Sequence, residues 1–296
     1  MNIVVLSRNP SLYSTQSIVN AARARNHYVR VIDHMYCDMI IDNRGLEIHY
    51  NNQKLENIHA VIPRIGTSAT NYGAAVIRQF ESMGIFTTLG SEPLLKSRDK
   101  LSCLQILAAH GIKVPRSGIG NNYYTQSALL DLVGRNPHVL KLINGTHGLG
   151  VILSQQKSNA ESILEAFHRS DQMLMIQQFI KESAGMDIRA FIVDGVIVGA
   201  MKRVAAAGDF RSNLHRGAIG EKIVLSEIES TIARRAAEIM GLKIAGVDML
   251  ISNSGPMVLE VNASPGLEGI EGVTKIDIAS KIIEFVENNV MGIHNE

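Results

Sequence analysis

A chain of 296 residues, 46% of them hydrophobic, can bury a large core and is long enough for two or three domains. Its formal net charge of +1 argues against general attraction to nucleic acid or anionic membrane, and it has no run of about 18 apolar residues that would span a bilayer. Cys37 and Cys103, far apart and without a CxxC or His-Cys cluster, suggest neither a disulfide framework nor a zinc site; Met1 to Leu6 reads as a strand rather than a leader, which argues for the cytoplasm.

The first 90 residues alternate strand-like and helical runs: Ile3 to Leu6, a helix from about Ser14 to Arg25, Tyr28 to Ile32, Ala60 to Ile62 and a helix from Tyr72 to Met83. Such alternation predicts a βαβ domain with a parallel sheet. Asp42-Asn43-Arg44-Gly45 is a hairpin turn. The segment after the first strand, Ser7-Arg8-Asn9-Pro10-Ser11, has no G-x-G-x-x-G, which argues against a dinucleotide site. Pro63-Arg64-Ile65-Gly66-Thr67 directly follows a strand, where open α/β sheets bind ligands. Arg64 is either a solvated loop residue or the bidentate partner of a substrate carboxylate.

Ser97-Arg98-Asp99-Lys100 opens a helix with Leu101, Leu104 and Leu107 on its apolar face, ending near His110-Gly111. In the strand His138 to Ile143, Lys141 interrupts an apolar run; it either meets an anion such as a nucleotide phosphate or snorkels to the surface. The Gly-rich turn Asn144 to Gly150 follows, able to bring backbone N–H groups close to phosphate oxygens, but it is not a P-loop. A helix from about Asn159 to His168 and a strand from Met173 to Phe179 come next, then the strands Asp187 to Val193 and Val196 to Met201 about an Asp194-Gly195 turn. Lys202, Arg203, Arg211, His215 and Arg216 cluster without interleaved aromatics, so nucleic-acid binding is a poor reading. They form either a solvated loop or an anion clamp for a transferring phosphoryl group and an acidic substrate. A helix from about Ser226 to Met240, with apolar Ile228, Ile232, Ala236 and Ile239, precedes a hairpin, and a last helix runs from about Ile276 to Asn289.

That hairpin joins Gly246 to Ile251 and Met257 to Asn262 through Ser252-Asn253-Ser254-Gly255-Pro256. Pairing centred on Ser254 sets Asp248 opposite Glu260, and Asn262 shares the face of Glu260. An Asp, Glu and Asn set without Cys or His suits Mg²⁺ or Mn²⁺; the bland alternative is a polar solvent face.

Asp248, twelve residues before Glu260-Val261-Asn262-Ala263-Ser264-Pro265-Gly266, resembles the metal signature of the ATP-grasp ligases. Leu267-Glu268-Gly269-Ile270-Glu271 and Asp209 to Gly217 narrow the resemblance to RimK-type glutamate ligases over nearly the whole chain. The resemblance implies an ATP-grasp fold, mixed α/β and α+β, with an N-terminal Rossmann-like pre-ATP-grasp domain over 1–95, a central subdomain over 96–180 and a C-terminal subdomain with the metal hairpin over 181–290. ATP would lie between the last two. By the same resemblance Lys100, Lys141, Gly145 and Gly148 serve the phosphates, Gln178, Phe179 and Ile180 the adenine, Asp187 the ribose, and Arg211, Ser212 and Asn213 the nucleotide. Arg203, Arg211 and Arg216 stand on the acyl-phosphate side, with Arg64, Arg203 and His215 towards substrate. Asp248, Glu260 and Asn262 would hold two Mg²⁺, or Mn²⁺. Gln178 departs from the family's usual Glu, and Ala218 from a frequent Gly. The implied reaction adds L-glutamate to a ribosomal-protein C-terminus or builds poly-alpha-glutamate, in a homo-oligomer that by resemblance is a tetramer, without nucleic acid or membrane as partner. Rival readings are a ligase for a small-molecule or carrier-protein acceptor and a non-catalytic nucleotide-binding regulator.

Overall fold

The computed structural model describes residues 1–143, 150–170, 172–214 and 217–292, and the account below concerns these. The chain begins with β1 (Asn2–Leu6), α1 (Tyr13–Ala24) and β2 (Tyr28–Ile32), then the meander β3 (Cys37–Asp42), β4 (Gly45–Tyr50) and β5 (Gln53–Lys54), then β6 (Ala60–Pro63), α2 (Thr70–Ser82) and β7 (Phe86–Thr87). Strands β2, β1, β6 and β7 line up in that order as a parallel sheet. The unbroken apolar run of β1 reflects burial on both faces. Val4 and Leu6 join the cluster that holds Val76, Ile77 and Phe80 of α2, while Ile3 and Val5 face Ile18, Val19 and Ala22 of α1. The Asp42 turn closes its hairpin as expected, with Asp42 paired to Gly45.

Two helices follow, α3 (Ser91–Arg98) and α4 (Lys100–Ala109), where the sequence predicts one helix opening at Ser97. Asp99 separates them: its backbone is extended and its carboxylate accepts from Leu101 N at 2.9 Å and Ser102 N at 3.0 Å, an N-cap that restarts the helix. The central unit contains β8 (Ser117–Gly118), α5 (Gln126–Val133), β9 (His138–Leu142), β10 (Val151–Ser154), α6 (Lys157–Arg169) and β11 (Leu174–Gln178), its strands ordered β10, β9, β11, β8 and antiparallel. Its core of Leu130, Val133, Leu140, Ala160, Leu164, Leu174 and Ile176 is separate from the other two.

The last unit is an antiparallel sheet ordered β14, β13, β12, β15, β16, from β12 (Met186–Val193), β13 (Val196–Val204), β14 (Ile219–Lys222), β15 (Ile244–Ser252) and β16 (Gly255–Asn262), with α7 (Glu227–Ile239), α8 (Glu268–Thr274) and α9 (Ile278–Gly292). Ser226 and Glu229 form a capping box that starts α7. The buried stripe of α7 differs from the predicted one. Ile228 is 65% exposed, and Ala233, Ala236 and Ala237 face the sheet, because small side chains let the helix approach it closely. The predicted terminal helix forms as α9, preceded by the short α8 that the sequence reading lacks: Lys275 takes a left-handed φ of 60° between them, and Glu271 Oε1 accepts from Ile278 N and Ala279 N, both at 3.0 Å, capping α9. Helix α9 places Ile282, Ile283 and Val286 in one core with Ile3 and Val5 of β1 and Phe191 of β12, so the first and last units share continuous cores.

Candidate active site

Strand alternation sets charged side chains on one face of the last sheet. Asp187 is the register partner of Arg203, Arg189 of Asp248, and Asp248 of Glu260. The last pairing depends on a bulge. Ser252 pairs with Gly255 and Met249 with Val258, so Leu259 is an extra residue in β16 that brings Glu260 opposite Asp248. The simple hairpin centred on Ser254 predicts the same pair by a different route.

Asp248 is 2% exposed and Arg203 3%. Arg189 donates Nε to Asp248 Oδ1 and Nη2 to Oδ2, each at 2.6 Å. Arg203 binds Asp187 by the same fork, twice at 2.6 Å, and reaches Asp248 Oδ2 from Nη2 at 2.9 Å. Two guanidiniums and two carboxylates thus form one buried chain, in which breaking a link by deleting one partner costs about 3–5 kcal/mol. Burial pushes the Asp248 carboxyl up, but Arg189 and Arg203 outweigh it and hold it well below the usual carboxylate range. For Asp187 burial wins and raises the carboxyl, with Arg203 opposing and Asp248 adding. Burial lowers the Arg203 guanidinium, yet Asp248 and Asp187 together hold it above its ordinary value.

Glu260 lies within electrostatic reach of three cations. Its charge acts on Lys141 of β9, on Lys100 at the start of α4 and on Arg98 at the end of α3. Lys100 Nζ donates to Ile143 O at 3.2 Å, beside the end of β9. Burial lowers the Lys141 ammonium to about 8, with Glu260 opposing and Lys100 adding; burial lowers Lys100 too, again against Glu260. Arg64, lowered to about 10 by burial and by Arg98, donates Nη2 to Pro265 O at 2.7 Å in the turn after β16. Lysines and arginines in this excess around one carboxylate make a site for polyanions.

At the hinge, Gln178 N donates to Arg116 O at 2.8 Å, and the chain leaves β11 through half-buried Phe179 and buried Ile180. The Phe179 ring lies edge-on to Phe210, centroids 6.5 Å apart, and Arg211 stacks on Phe210 with Cζ 5.6 Å from the centroid. Arg211 pairs with Asp209 at 2.9 Å, and buried Ser212 and half-buried Asn213 follow.

Compared with known proteins, a RimK-like ATP-grasp domain model matches residues 97–286 and a RimK pre-ATP-grasp domain model residues 1–94. The chain belongs to the RimK-like ATP-grasp family. A probable alpha-L-glutamate ligase 1 of Shewanella denitrificans is 50% identical over 289 residues, covering 98% of either chain. A probable alpha-L-glutamate ligase of a Picosynechococcus species is 49% identical, covering 98% of this chain and 96% of its own. The fold is shared with the ATP-grasp ligase PsnB in a complex with minimal precursor, Mg and ADP (TM-score 0.76, 22% identity, 98% of either chain) and with D-alanine–D-alanine ligase from Bacillus anthracis bound to ATP (TM-score 0.69, 21% identity, 100% and 99%). As a member of this family the chain is an ADP-forming ligase that joins a carboxylate to an amine.

For this RimK-like ligase the hairpin residues fit a hard cation. Asn262 Nδ2 donates to Glu260 Oε1 at 3.1 Å and to Gly246 O at 3.4 Å, which leaves the amide oxygen as a ligand beside the second Glu260 oxygen. Among the described residues no three His, Cys, Asp or Glu side chains gather around a metal position, so such an ion would rely on Glu260, Asn262 and oxygens of the nucleotide, with Asp248 sharing its carboxylate with two arginines. Gly145, Gly148, His215 and Arg216 lie outside the described residues. The base of the Gly-rich turn is described. Leu142 N donates to Gly150 O at 2.9 Å, and Gly150 has φ of 69° with Leu142 so close that a Cβ would meet its Cδ1 at 2.4 Å, so this position requires glycine. Two cations of the site escape sequence reading. Arg189 carried a signal, two residues from Asp187 on one strand and so on the same face; Arg98, beside the N-cap of α4, carried none, since its contacts lie 31 and 33 residues away.

Proposed function

We propose that this ligase condenses L-glutamate with a peptide C-terminus, the reading made from its sequence. The observation that carries the chemistry is Glu260 set among Lys141, Lys100 and Arg98; the glutamate reading leans on full-length identity near 50% to proteins named alpha-L-glutamate ligase. Peptide acceptors are in keeping with fold neighbours solved with precursor peptides. A ribosomal-protein C-terminus or a growing poly-alpha-glutamate chain is the acceptor we favour over a small molecule or carrier protein. We place the reaction in the cytoplasm, in keeping with two free, buried cysteines, and in a homo-oligomer. Among the described residues no helix is long and apolar enough to cross a membrane.

In this reading an acceptor carboxylate oxygen attacks the γ-phosphorus of ATP and the bond to ADP breaks. The amine of glutamate then attacks the acyl carbon, the acyl C–O bond breaks, phosphate leaves and the amine proton passes to solvent. Lys100 and Lys141 neutralise phosphate oxygens, and Arg211 and Arg216 balance the charge that develops on the transferring group. Asp248, Glu260 and Asn262 would hold two Mg²⁺, or Mn²⁺, which supply Lewis-acid neutralisation of the phosphates. The turn Gly145 to Gly150 would exclude water, against which an acyl phosphate must be protected. Phe179 and Ile180 would bound the adenine, Asp187, Ser212 and Asn213 the ribose side, and Arg64, Arg203 and His215 would face the substrates.

The test measures ADP release by the purified protein with ATP and Mg²⁺ across the twenty amino acids, with and without a peptide ending in Glu-Glu, while following peptide mass. Glutamate-dependent release with mass increments of a glutamyl residue is expected, and Glu260→Ala abolishes it with the fold retained. ATP binding without release for any amino acid would instead favour the regulator, and Glu260→Ala with full activity would refute the hairpin site.

A further inference from the structure

The loop between β13 and β14 carries Arg211, and contacts on an edge and a face of its guanidinium set where that group stands. Asp209 grips the edge, Oδ1 accepting from Nε at 2.9 Å and Oδ2 from Nη2 at 3.0 Å, while Asp209 Oδ1 also accepts from the Arg211 backbone N at 2.9 Å. The Phe210 ring takes the face, 5.6 Å from Cζ to its centroid. Both contacts are internal to the loop, so they hold Arg211 to the loop and not the loop to the protein. The start of the loop is pinned by Ala205 N, which donates to Gly185 O at 2.7 Å. Phe210 ties the loop further along: its ring stands edge-on to Phe179, centroids 6.5 Å apart and planes at 72°, and Phe179 belongs to the hinge by which the chain leaves β11.

Aromatic pairs attract in the edge-on arrangement with centroids up to about 7 Å apart, and a cation within about 6 Å of a ring centroid is drawn to the ring face. One side chain makes both contacts. An aromatic residue also suits the chemistry proposed for Arg211. A second carboxylate beside Asp209 would hold the guanidinium as well but would cancel charge that the transferring phosphoryl group needs; a ring face attracts the cation and leaves its charge in place. We propose that Phe210 is a positioning residue for the ligase reaction: seated on Phe179 at the hinge that bounds the adenine, it carries Arg211 to the transferring phosphoryl group. The inference rests on the ligase reading above and on the part given there to Arg211, though not on the identity of the amino acid or the acceptor.

The consequences separate this role from a structural one. Without the Phe210 ring, Arg211 keeps its fork onto Asp209 but the loop loses its seat on the hinge, and a misplacement of about 1 Å costs a reaction roughly 100-fold. That loss falls on the step in which charge develops, and so on kcat, while the nucleotide keeps its lysines. Because the effect travels through Arg211, it disappears once Arg211 is gone. Phe179 and Phe210 are both half-buried and neither belongs to the three cores, so removing the Phe210 ring leaves the fold intact.

The test uses the full-length protein and begins without any ligand. The chain has no tryptophan, so Phe210→Trp provides a single indole that reports on this contact. Adding Phe179→Ala is expected to shift its emission to longer wavelength and open it to quenching by acrylamide; unchanged emission and quenching overturn the seating. Steady-state kinetics then use whichever amino acid and acceptor support turnover. Phe210→Ala is expected to lower kcat about 10- to 100-fold with the KM for ATP held within about threefold, and to keep the melting temperature within about 2 °C of wild type. Phe210→Tyr should stay within about threefold of the wild-type kcat, and Phe210→Leu, which fills the space without a ring face, should fall between Phe210→Tyr and Phe210→Ala. In an Arg211→Ala background Phe210→Ala should cost less than about twofold more. Equal kcat for wild type and Phe210→Ala overturns the inference, and so do losses that multiply in the double variant, since Phe210 would then act without Arg211. A KM for ATP that rises while kcat holds also overturns it, assigning the ring to the adenine pocket. If the wild type turns over no amino acid, the ligase reading falls and this inference with it; failure of any arm in an active wild type leaves that reading standing.

Discussion

Arg203 shows how one side chain carries two demands. From the sequence it reads as a free cation for substrate, and in the structure both sides of its guanidinium are taken by Asp187 and Asp248. Its first effect is therefore on stability. Arg203→Ala leaves two buried carboxylates to share Arg189, which serves only Asp248 directly, so about 3–5 kcal/mol is expected to be lost. In a chain of this size that corresponds to a fall in melting temperature of about 6–10 °C. Glu260 offers the contrast. It is half-buried, in the field of cations and bound only by the Asn262 amide among the described residues, so Glu260→Gln should hold the melting temperature within about 2 °C. Calorimetric scans of the two variants check this; an unchanged melting temperature for Arg203→Ala would show that the buried chain is not a structural unit.

At the scale of the element, the hairpin of β15 and β16 depends on how closely the following turn lies against it. A Cβ added at Gly246 would stand 2.9 Å from Pro265 Cβ and 3.8 Å from Arg189 Nε. Pro265 is buried and its carbonyl anchors Arg64, so it has little room to retreat. Gly246→Ala is expected to cost about 1–3 kcal/mol by overpacking and to shift the Ala263 to Gly266 turn. Urea titration should show a lower midpoint with unchanged slope; a wild-type midpoint would mean that the turn yields freely. The same hairpin marks how far sequence reaches. Its strands, polar break and convergent oxygens were legible because period-two alternation and turn chemistry are local. Leu259 as a bulge was not, since the extra residue is chosen by packing of Val258 and Val261 into the core. Likewise Asp99 as an N-cap competes with a continuous helix on equal local terms, and Ile228 looks apolar-facing until the three alanines of α7 settle against the sheet. Most charges of the site were legible, Arg189 and Arg98 aside, but their pairings were not, because Asp187–Arg203 and Arg189–Asp248 are contacts between strands whose register only the fold decides.

Across the whole molecule, the distribution of cores separates one body from another. Clusters built from β1, α2, α4, α7 and the last sheet, and from α1, α9 and Phe191, run without interruption through the first and last units, whereas the core under β9 and β11 is smaller and stands alone. The residues proposed to hold the nucleotide are divided by this boundary: Lys141 belongs to the central sheet, while Lys100 of α4, Glu260 and Asn262 belong to the larger body. A nucleotide held by both bodies joins what packing leaves separate, and ligand binding stabilises whatever it holds by its mass-action term. Hydrogen exchange of the free protein should then find the amides of β9 and β11, such as Leu140 and Ile176, opening at lower free energy than those of β1 and β12, such as Val5 and Ala190. With Mg²⁺ and a non-hydrolysable ATP analogue the protection of β9 and β11 should rise towards that of the larger body, by at least tenfold in exchange rate at 100 times the dissociation constant, while β1 changes little because its opening is already global. Uniform protection across all four strands in the free protein would show that the central unit is no independent cooperative body, and that its separate core does not let it open on its own.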